Sequence, residues 1–272
     1  MKHTSNDFWI WVFRVLCALI LLFLLLPLVV IIPLSFSPDK YFSFPPTSFS
    51  LTWYKSVFSS DKWMSAGLNS LFISTCAMVI ATCLGTLAAA GLAKYKSKTT
   101  NLVMGLLLLP MLVPVVITGV GIFFLDAYLG IAGTYLSIII AQALLGLPFV
   151  VLTVTATLQG FDQTLIRAAL SLGAHPIKAF TSILIPIIMP GVLAGALFAF
   201  AISFDEIVIT LFLVSPGKET IPVQIFSGIR DSINPEITAI ATLLLLISTL
   251  MMIAAGLLLR GRDRLSKNKG EA

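Results

Sequence analysis

Charge is what this chain has least of. Asp, Glu, Lys and Arg make up 11% of its 272 residues, against about 25% in an ordinary soluble domain. A surface so poor in charge does not stay dissolved in water, so a soluble enzyme is excluded and lipid is the solvent for much of the chain. Histidine is as scarce, with His3 and His175 alone. Cys17, Cys76 and Cys83 all sit inside apolar runs. Three thiols cannot pair evenly, and no Cys/His spacing of the metal-binding kind exists, so they read as small packing residues. No G-x-x-x-x-G-K-[ST] phosphate cradle is present, and Gly217-Lys218 lacks both the upstream glycine and the following Ser or Thr. The chain therefore carries no nucleotide site of that kind. No inverted repeat of the secondary-transporter kind and no low-complexity linker is visible.

What the chain has instead is apolar length. Hydrophobic residues make up 58%, arranged as six continuous runs: Trp9–Ile32, Ala66–Ala93, Leu102–Leu125, Tyr135–Thr157, Ile187–Val214 and Ile237–Leu259. A spanning helix needs about 20 mostly apolar residues, because lipid offers no partner for the backbone. Continuous rather than alternating runs exclude a β-barrel. The expected fold is all-α, with six transmembrane helices in one domain over residues 1–272. The first run is longer than a signal-peptide core and no A-x-A site follows it, so it reads as a retained span.

Orientation follows from Lys and Arg. Lys2, Arg14, Lys94, Lys96, Lys98, Arg167, Lys178, Arg260, Arg262, Arg264, Lys267 and Lys269 fall on one side. Lys40, Lys55, Lys62, Lys218 and Arg230 fall on the other, diluted by Asp39, Asp61, Glu219, Asp231 and Glu236. The first side is expected to be cytoplasmic, with both termini on it. The net charge of +5 is then a topology signal, and no nucleic-acid partner is implied. In the outer stretch from Ser35 to Ser65, Tyr41, Trp53, Tyr54 and Trp63 read as an aromatic anchor at the membrane surface rather than a ligand site.

Two segments carry mechanism. The stretch 159–185 is a cytoplasmic connection containing Arg167-Ala168-Ala169-Leu170-Ser171-Leu172-Gly173-Ala174-His175-Pro176. It reads as a short helix ending near Gly173 and Pro176, then a second short helix over Ile177–Ile183 leading to Pro186. Its small residues admit another protein's surface closely. On these residues alone, a docking element and a plain connecting loop are both compatible.

The second segment is Asp205-Glu206, inside the fifth apolar run. A carboxylate at a helix centre costs about 2.5–3.5 kcal/mol on insertion scales, and such residues mark pathways or partners. Either Asp205 or Glu206 lines a path for a cationic solute, or the pair holds interhelical hydrogen bonds. Gly191, Gly195, Ala199 and Ser203 form a small-residue stripe suited to close packing, within the chain or against a partner. Asn69 and Gln142 are path-lining or helix–helix hydrogen-bonding groups. Asp126 reads as a solvated residue at a span end, and Pro110, Pro114 and Pro148 as kinks.

The spacing of Ala168, Ala169, Gly173, Ile183 and Pro186 resembles the E-A-A signature of permease subunits in binding-protein-dependent ABC importers. Arg167 stands where that signature has Glu, and Ile185 where it has Leu. Ser43-Phe44-Pro45-Pro46, Ser50-Leu51-Thr52-Trp53-Tyr54, Asn69-Ser70-Leu71, Leu84-Gly85-Thr86-Leu87-Ala88, Ser203-Phe204-Asp205-Glu206 and Asn234-Pro235-Glu236 resemble its spermidine/putrescine branch. The resemblance implies a type I importer (MetI-like) fold in a bacterial inner membrane. It implies a second permease, a dimer of ATP-binding subunits holding ATP and Mg, a periplasmic or tethered binding protein, and no cofactor in this chain. Arg167, Ala168, Ala169, Gly173, Ala174 and His175 would couple to the ATPase. Ser203, Asp205, Glu206 and Asn69 would be candidates for the path. The solute would be a polyamine or, within the same class, another small amine, amino-acid derivative, opine or phosphonate. An ion-gradient-driven carrier is the reading from another class, and it would not need the cytoplasmic signature.

Overall fold

The computed structural model describes residues 3–39, 41, 43–94, 97–162, 164–231 and 235–250, with side chains from Phe8 onward. Lys2, Lys40, Lys96, Asn234 and the basic tail from Arg260 lie outside the described residues. Among those described, helices and turns account for all regular structure and no strand occurs. The chain divides into two compact units, one from residues 1–64 and 227–252, the other from 65–226 and 253–272.

In the first unit, α1 (His3–Ser35) carries apolar side chains that stay open, from Phe8 to Ile32. Lipid or protein outside this chain must cover them. Helix α2 (Thr52–Ser59) lies in the stretch read as an aromatic anchor. Three of the four aromatics there are tied internally. Trp53 Nε1 donates to Ser37 O at 2.8 Å, Tyr54 Oη pairs with Ser35 Oγ at 2.7 Å, and Trp63, 9% exposed, donates to Glu236 Oε2 at 3.2 Å. Tyr41 stays open. The sixth run appears as α12 (Glu236–Leu250), too short by itself to span, because residues 251–259 lie outside the described set.

The second unit holds most of α3 (Asp61–Ala93), α4 (Lys98–Leu112), α5 (Val115–Leu129) and α6 (Tyr135–Leu158). It also holds α7 (Thr164–Ser171), α8 (Pro176–Ala179), α9 (Ile185–Phe204), α10 (Val208–Leu213) and the start of α11 (Ile221–Asp231). Among the described residues of the whole chain, four helices are long and apolar enough to cross a membrane, or up to five with α4–α5 taken as one bent span.

That bend corrects the reading of Leu102–Leu125 as one kinked helix. α4 and α5 meet at 103°. Pro114 supplies no N–H, and its ring forces Val113 into an extended conformation (φ −79°, ψ 132°). Pro110 and Pro148 stay within α4 and α6. The short helix expected over Ile177–Ile183 is corrected as well. α8 passes through one π-helical turn, Phe180–Leu184, directly into α9.

Helix α6 is the most enclosed span, with Ile138, Ala141, Gln142, Val150, Val151 and Val154 at 1% exposure or less. It packs against α9 through the small-residue stripe, which therefore serves packing within the chain. A Cβ on Gly191 would meet Thr153 O at 2.9 Å, one on Gly195 would meet Val150 Cα at 2.8 Å, and one on Gly146 would meet Ala199 Cβ at 2.9 Å. In lipid the hydrophobic effect does not press helices together, so this close van der Waals fit does. Residue numbers rise along α9 as they fall along α6, from Gly191 on Thr157 to Ser203 on Gln142. The pairing is antiparallel and its register is fixed by glycine.

Candidate functional site: an exposed turn and a broken helix

The first candidate region is α7–α8. Helix α7 starts on Asp162, whose carboxylate accepts from Thr164 N at 2.9 Å and Thr164 Oγ1 at 2.7 Å. Those bonds from Thr164, chiefly the hydroxyl, hold the Asp162 carboxyl below its ordinary range, with Arg167 adding a smaller pull. The helix ends on Gly173 at φ +84°. Gly173 N donates to Leu170 O and Ala174 N to Ala169 O, both at 3.0 Å. This is a Schellman cap, and only glycine adopts its left-handed position without penalty. His175 then caps α8, its Nδ1 accepting from Ile177 N at 3.3 Å, with Pro176 in the first turn.

The turn is anchored from below. Ile166, Phe161 and Phe180 pack on the core formed by Ala77, Ala81, Ala89, Val154 and Ile188. Its outer face holds Arg167, Ala168, His175 and Lys178, all exposed, with Leu172 89% and Ile177 67% open. Ala169 and Ala174 are half-buried. Apart from Asp162, the segment 159–204 contains no carboxylate, so the outer face is apolar and basic.

The second region lies at the far end of α9 and corrects the placement of Asp205 and Glu206 within a helix. α9 stops at Phe204, Asp205 is its cap residue at φ −95°, ψ 1°, and α10 begins at Val208. Glu206 is half-buried and its Oε1 accepts from Ile209 N at 2.8 Å, so it caps the new helix. Asp205 is exposed and its carboxylate takes no hydrogen bond or ion pair within the described residues. The adjacent carboxylates thus have separate roles, one structural and one open.

Behind the break is a buried polar cluster. Ser203 Oγ donates to Gln142 Oε1. Gln142 Nε2 donates to Thr210 Oγ1 at 3.0 Å, and Thr210 Oγ1 donates to Glu206 O at 3.2 Å. Exposure is 3% at Ser203, 1% at Gln142 and zero at Thr210.

Asn69 is elsewhere in this unit. Its Nδ2 donates to Gly217 O at 3.1 Å and Glu219 O at 3.0 Å, and its Oδ1 accepts from Tyr135 Oη at 2.8 Å. It pins the 217–219 turn to the starts of α3 and α6. Asp126 is a correction: it is 5% exposed rather than solvated, and it accepts from the Ser137 hydroxyl. A buried carboxylate needs such a donor. Among the described residues no group of three or more His, Cys, Asp or Glu side chains could hold a metal ion.

Sequence reasoning gave Thr210 no role and left Gln142 among generic polar groups. The available signal was Glu206 three residues before Ile209, the spacing of a helix-capping carboxylate.

Several helices long and apolar enough to cross a membrane define a multi-pass membrane protein. Residues 81–264 match the family model described as a binding-protein-dependent transport system inner membrane component. The chain belongs to that family, the permease subunits of ABC importers, and is a transport subunit rather than an enzyme. It is 32% identical over 249 residues to the spermidine/putrescine transport system permease protein PotC of Escherichia coli K12, covering 92% of this chain and 93% of that one. It is 34% identical over 230 residues to the putrescine transport system permease protein PotI of the same strain, covering 82% of each. Among solved structures, a bacterial ABC transporter involved in import of the acidic polysaccharide alginate shares the fold, with TM-score 0.73 and 16% identity, covering 96% of this chain and 98% of that one.

Proposed function

We propose that this chain forms half of the import path for a polyamine, putrescine or spermidine, in a bacterial inner membrane. The observation that carries the reading is Asp205. It is an open carboxylate at the end of a 20-residue apolar helix, where the carbonyl end of the helix dipole adds negative potential. That chemistry suits an ammonium group and repels an anion. The names of the polyamine relatives support the same substrate class. Ser203 and Glu206 support the break beside Asp205, and Asn69 holds the 217–219 turn.

Six spans make up the single permease domain. They are α1, α3, the bent α4–α5 pair, α6, α9 with its lead-in, and the sixth apolar run that includes α12. Both termini are cytoplasmic, on the side richer in Lys and Arg. A second permease encloses the other half of the path, and a periplasmic or tethered binding protein delivers the solute. Two ATP-binding subunits, which hold ATP and Mg, dock on the exposed α7–α8 face through Arg167, Ala168, Ala169, Gly173, Ala174 and His175. ATP binding draws those subunits together, moves α7–α8, and the π turn passes the motion into α9.

The test is uptake of radiolabelled putrescine by vesicles holding the full transporter. Asp205→Asn is expected to lower uptake at least about tenfold, a loss of about 1.4 kcal/mol. Glu206→Gln keeps an acceptor for Ile209 N and is expected to retain most uptake. Wild-type uptake by Asp205→Asn overturns the assignment.

A further inference from the structure

We infer that Gln142 is a positioning residue that sets the helix break and thereby aims Asp205 into the path. This rests on the reading of Asp205 given above. The break at residues 205–207 has no proline or glycine to enforce it, so something else must hold two helix ends apart at a fixed angle. Gln142 touches both. Its carbonyl takes the Ser203 hydroxyl in the last turn of α9, and its amide donates to Thr210 in α10 at 3.0 Å. Thr210 in turn donates to Glu206 O within the break. One side chain thus brackets the non-helical residues from both sides.

The residue type is dictated by this geometry. A primary amide carries an acceptor and a donor on one planar group. Glu offers acceptors alone when ionised, Leu offers neither, and Asn is one methylene shorter. Gln142 itself cannot drift, because α6 and α9 are locked about one turn away by Ala199 on Gly146 and about two turns away by Gly195 on Val150. All three bracket residues are buried, so the cluster does not touch the solute. Its effect reaches transport through the direction of Asp205.

A structural residue and a positioning residue differ in what they disturb. Loss of general stability lowers assembly, ATPase activity and uptake together. Loss of positioning leaves the ATPase running and lowers the solute moved per ATP. The experiment uses the complete transporter in proteoliposomes with its binding protein and radiolabelled putrescine. Gln142→Leu is expected to keep stimulated ATPase within about threefold of wild type, while the uptake-to-ATPase ratio falls at least about tenfold. The double variant Gln142→Leu/Asp205→Asn is expected to be no worse than Asp205→Asn alone, because both act through one group. Parallel loss of ATPase and uptake, an unchanged ratio, or additive losses overturn the inference.

A second readout separates this inference from the substrate reading. The rate at which a cationic methanethiosulfonate labels Asp205→Cys, in a background lacking Cys17, Cys76 and Cys83, reports the aim of position 205 for any solute. Gln142→Leu is expected to change that rate at least about fivefold, and Thr153→Val less than about twofold. Absence of polyamine uptake in wild type, with this labelling pattern intact, removes the polyamine and keeps the bracket. Equal labelling with and without Gln142 removes the bracket.

Discussion

The turn at α7–α8 and the α6–α9–α10 junction are built by opposite means. The turn is exposed, and its shape is made by contacts between residues a few positions apart: a carboxylate start on Asp162, a Schellman end on Gly173, and a histidine cap on α8. Its outer face, with Leu172 and Ile177 among the side chains on it, stays open. The junction is buried, and its shape is made by side chains: glycines that admit a neighbouring helix, and the Ser203–Gln142–Thr210 cluster that holds a break. One open group, Asp205, is left beside it.

The contrast can be broken at either end, and the largest effect is expected in the junction. Gly191→Val puts a branched side chain where Thr153 O would lie 2.9 Å from its Cβ. Overpacking of this kind costs about 1–3 kcal/mol, and here it also shifts the α6–α9 register. Thermal melting of the assembled transporter is expected to show a clear drop. At the turn, Gly173→Val forces a β-branched residue into a left-handed conformation, at about 1–2 kcal/mol. Because the turn is exposed, that cost should appear as weakened ATPase docking and not as loss of membrane insertion, read by co-purification with the ATP-binding subunit. Gly173→Asn should be nearly neutral.

The smallest effect concerns pH. Asp162 has its carboxyl pKa lowered by the Thr164 hydroxyl first and the Thr164 N–H next. A group depressed on folding stabilises α7 above its unfolded pKa, and that help is lost as pH falls through the lowered folded value. Hydrogen exchange of the α7 amides should be pH-independent, after correction for intrinsic rates, through the neutral range and lose protection in acid. Asp162→Asn should flatten the acid limb.

How much of this was legible in the sequence divides along the same line. Local contacts write themselves into spacing, so the end of α7 at Gly173 was readable, and so was α6, whose expected bounds differ from the observed ones by a single residue. Contacts between distant residues do not. The chain from Ile187 to Val214 is apolar on both sides of Asp205-Glu206, and hydropathy is blind to direction, so the break there was hidden. The same blindness made the 103° bend at Pro114 look like a kink. Burial of Asp126 in α5 goes with its bond from Ser137 in α6, a contact made across the turn between two helices, which the periodicity of neither helix encodes. Gln142 meets residues 61 and 68 positions away, which only the packed register of α6 on α9 brings into reach.

The most direct test of the central claim is ATPase activity of the complete complex in lipid nanodiscs. This chain, its partner permease, the ATP-binding subunits and the binding protein would be assembled, then challenged in turn with putrescine, spermidine and non-polyamine solutes. Stimulation by a polyamine and by no other solute is the predicted result. Stimulation by a phosphonate or another solute alone would contradict the polyamine assignment, and stable failure of this chain to assemble with any ATP-binding subunit would contradict the proposed docking of α7–α8.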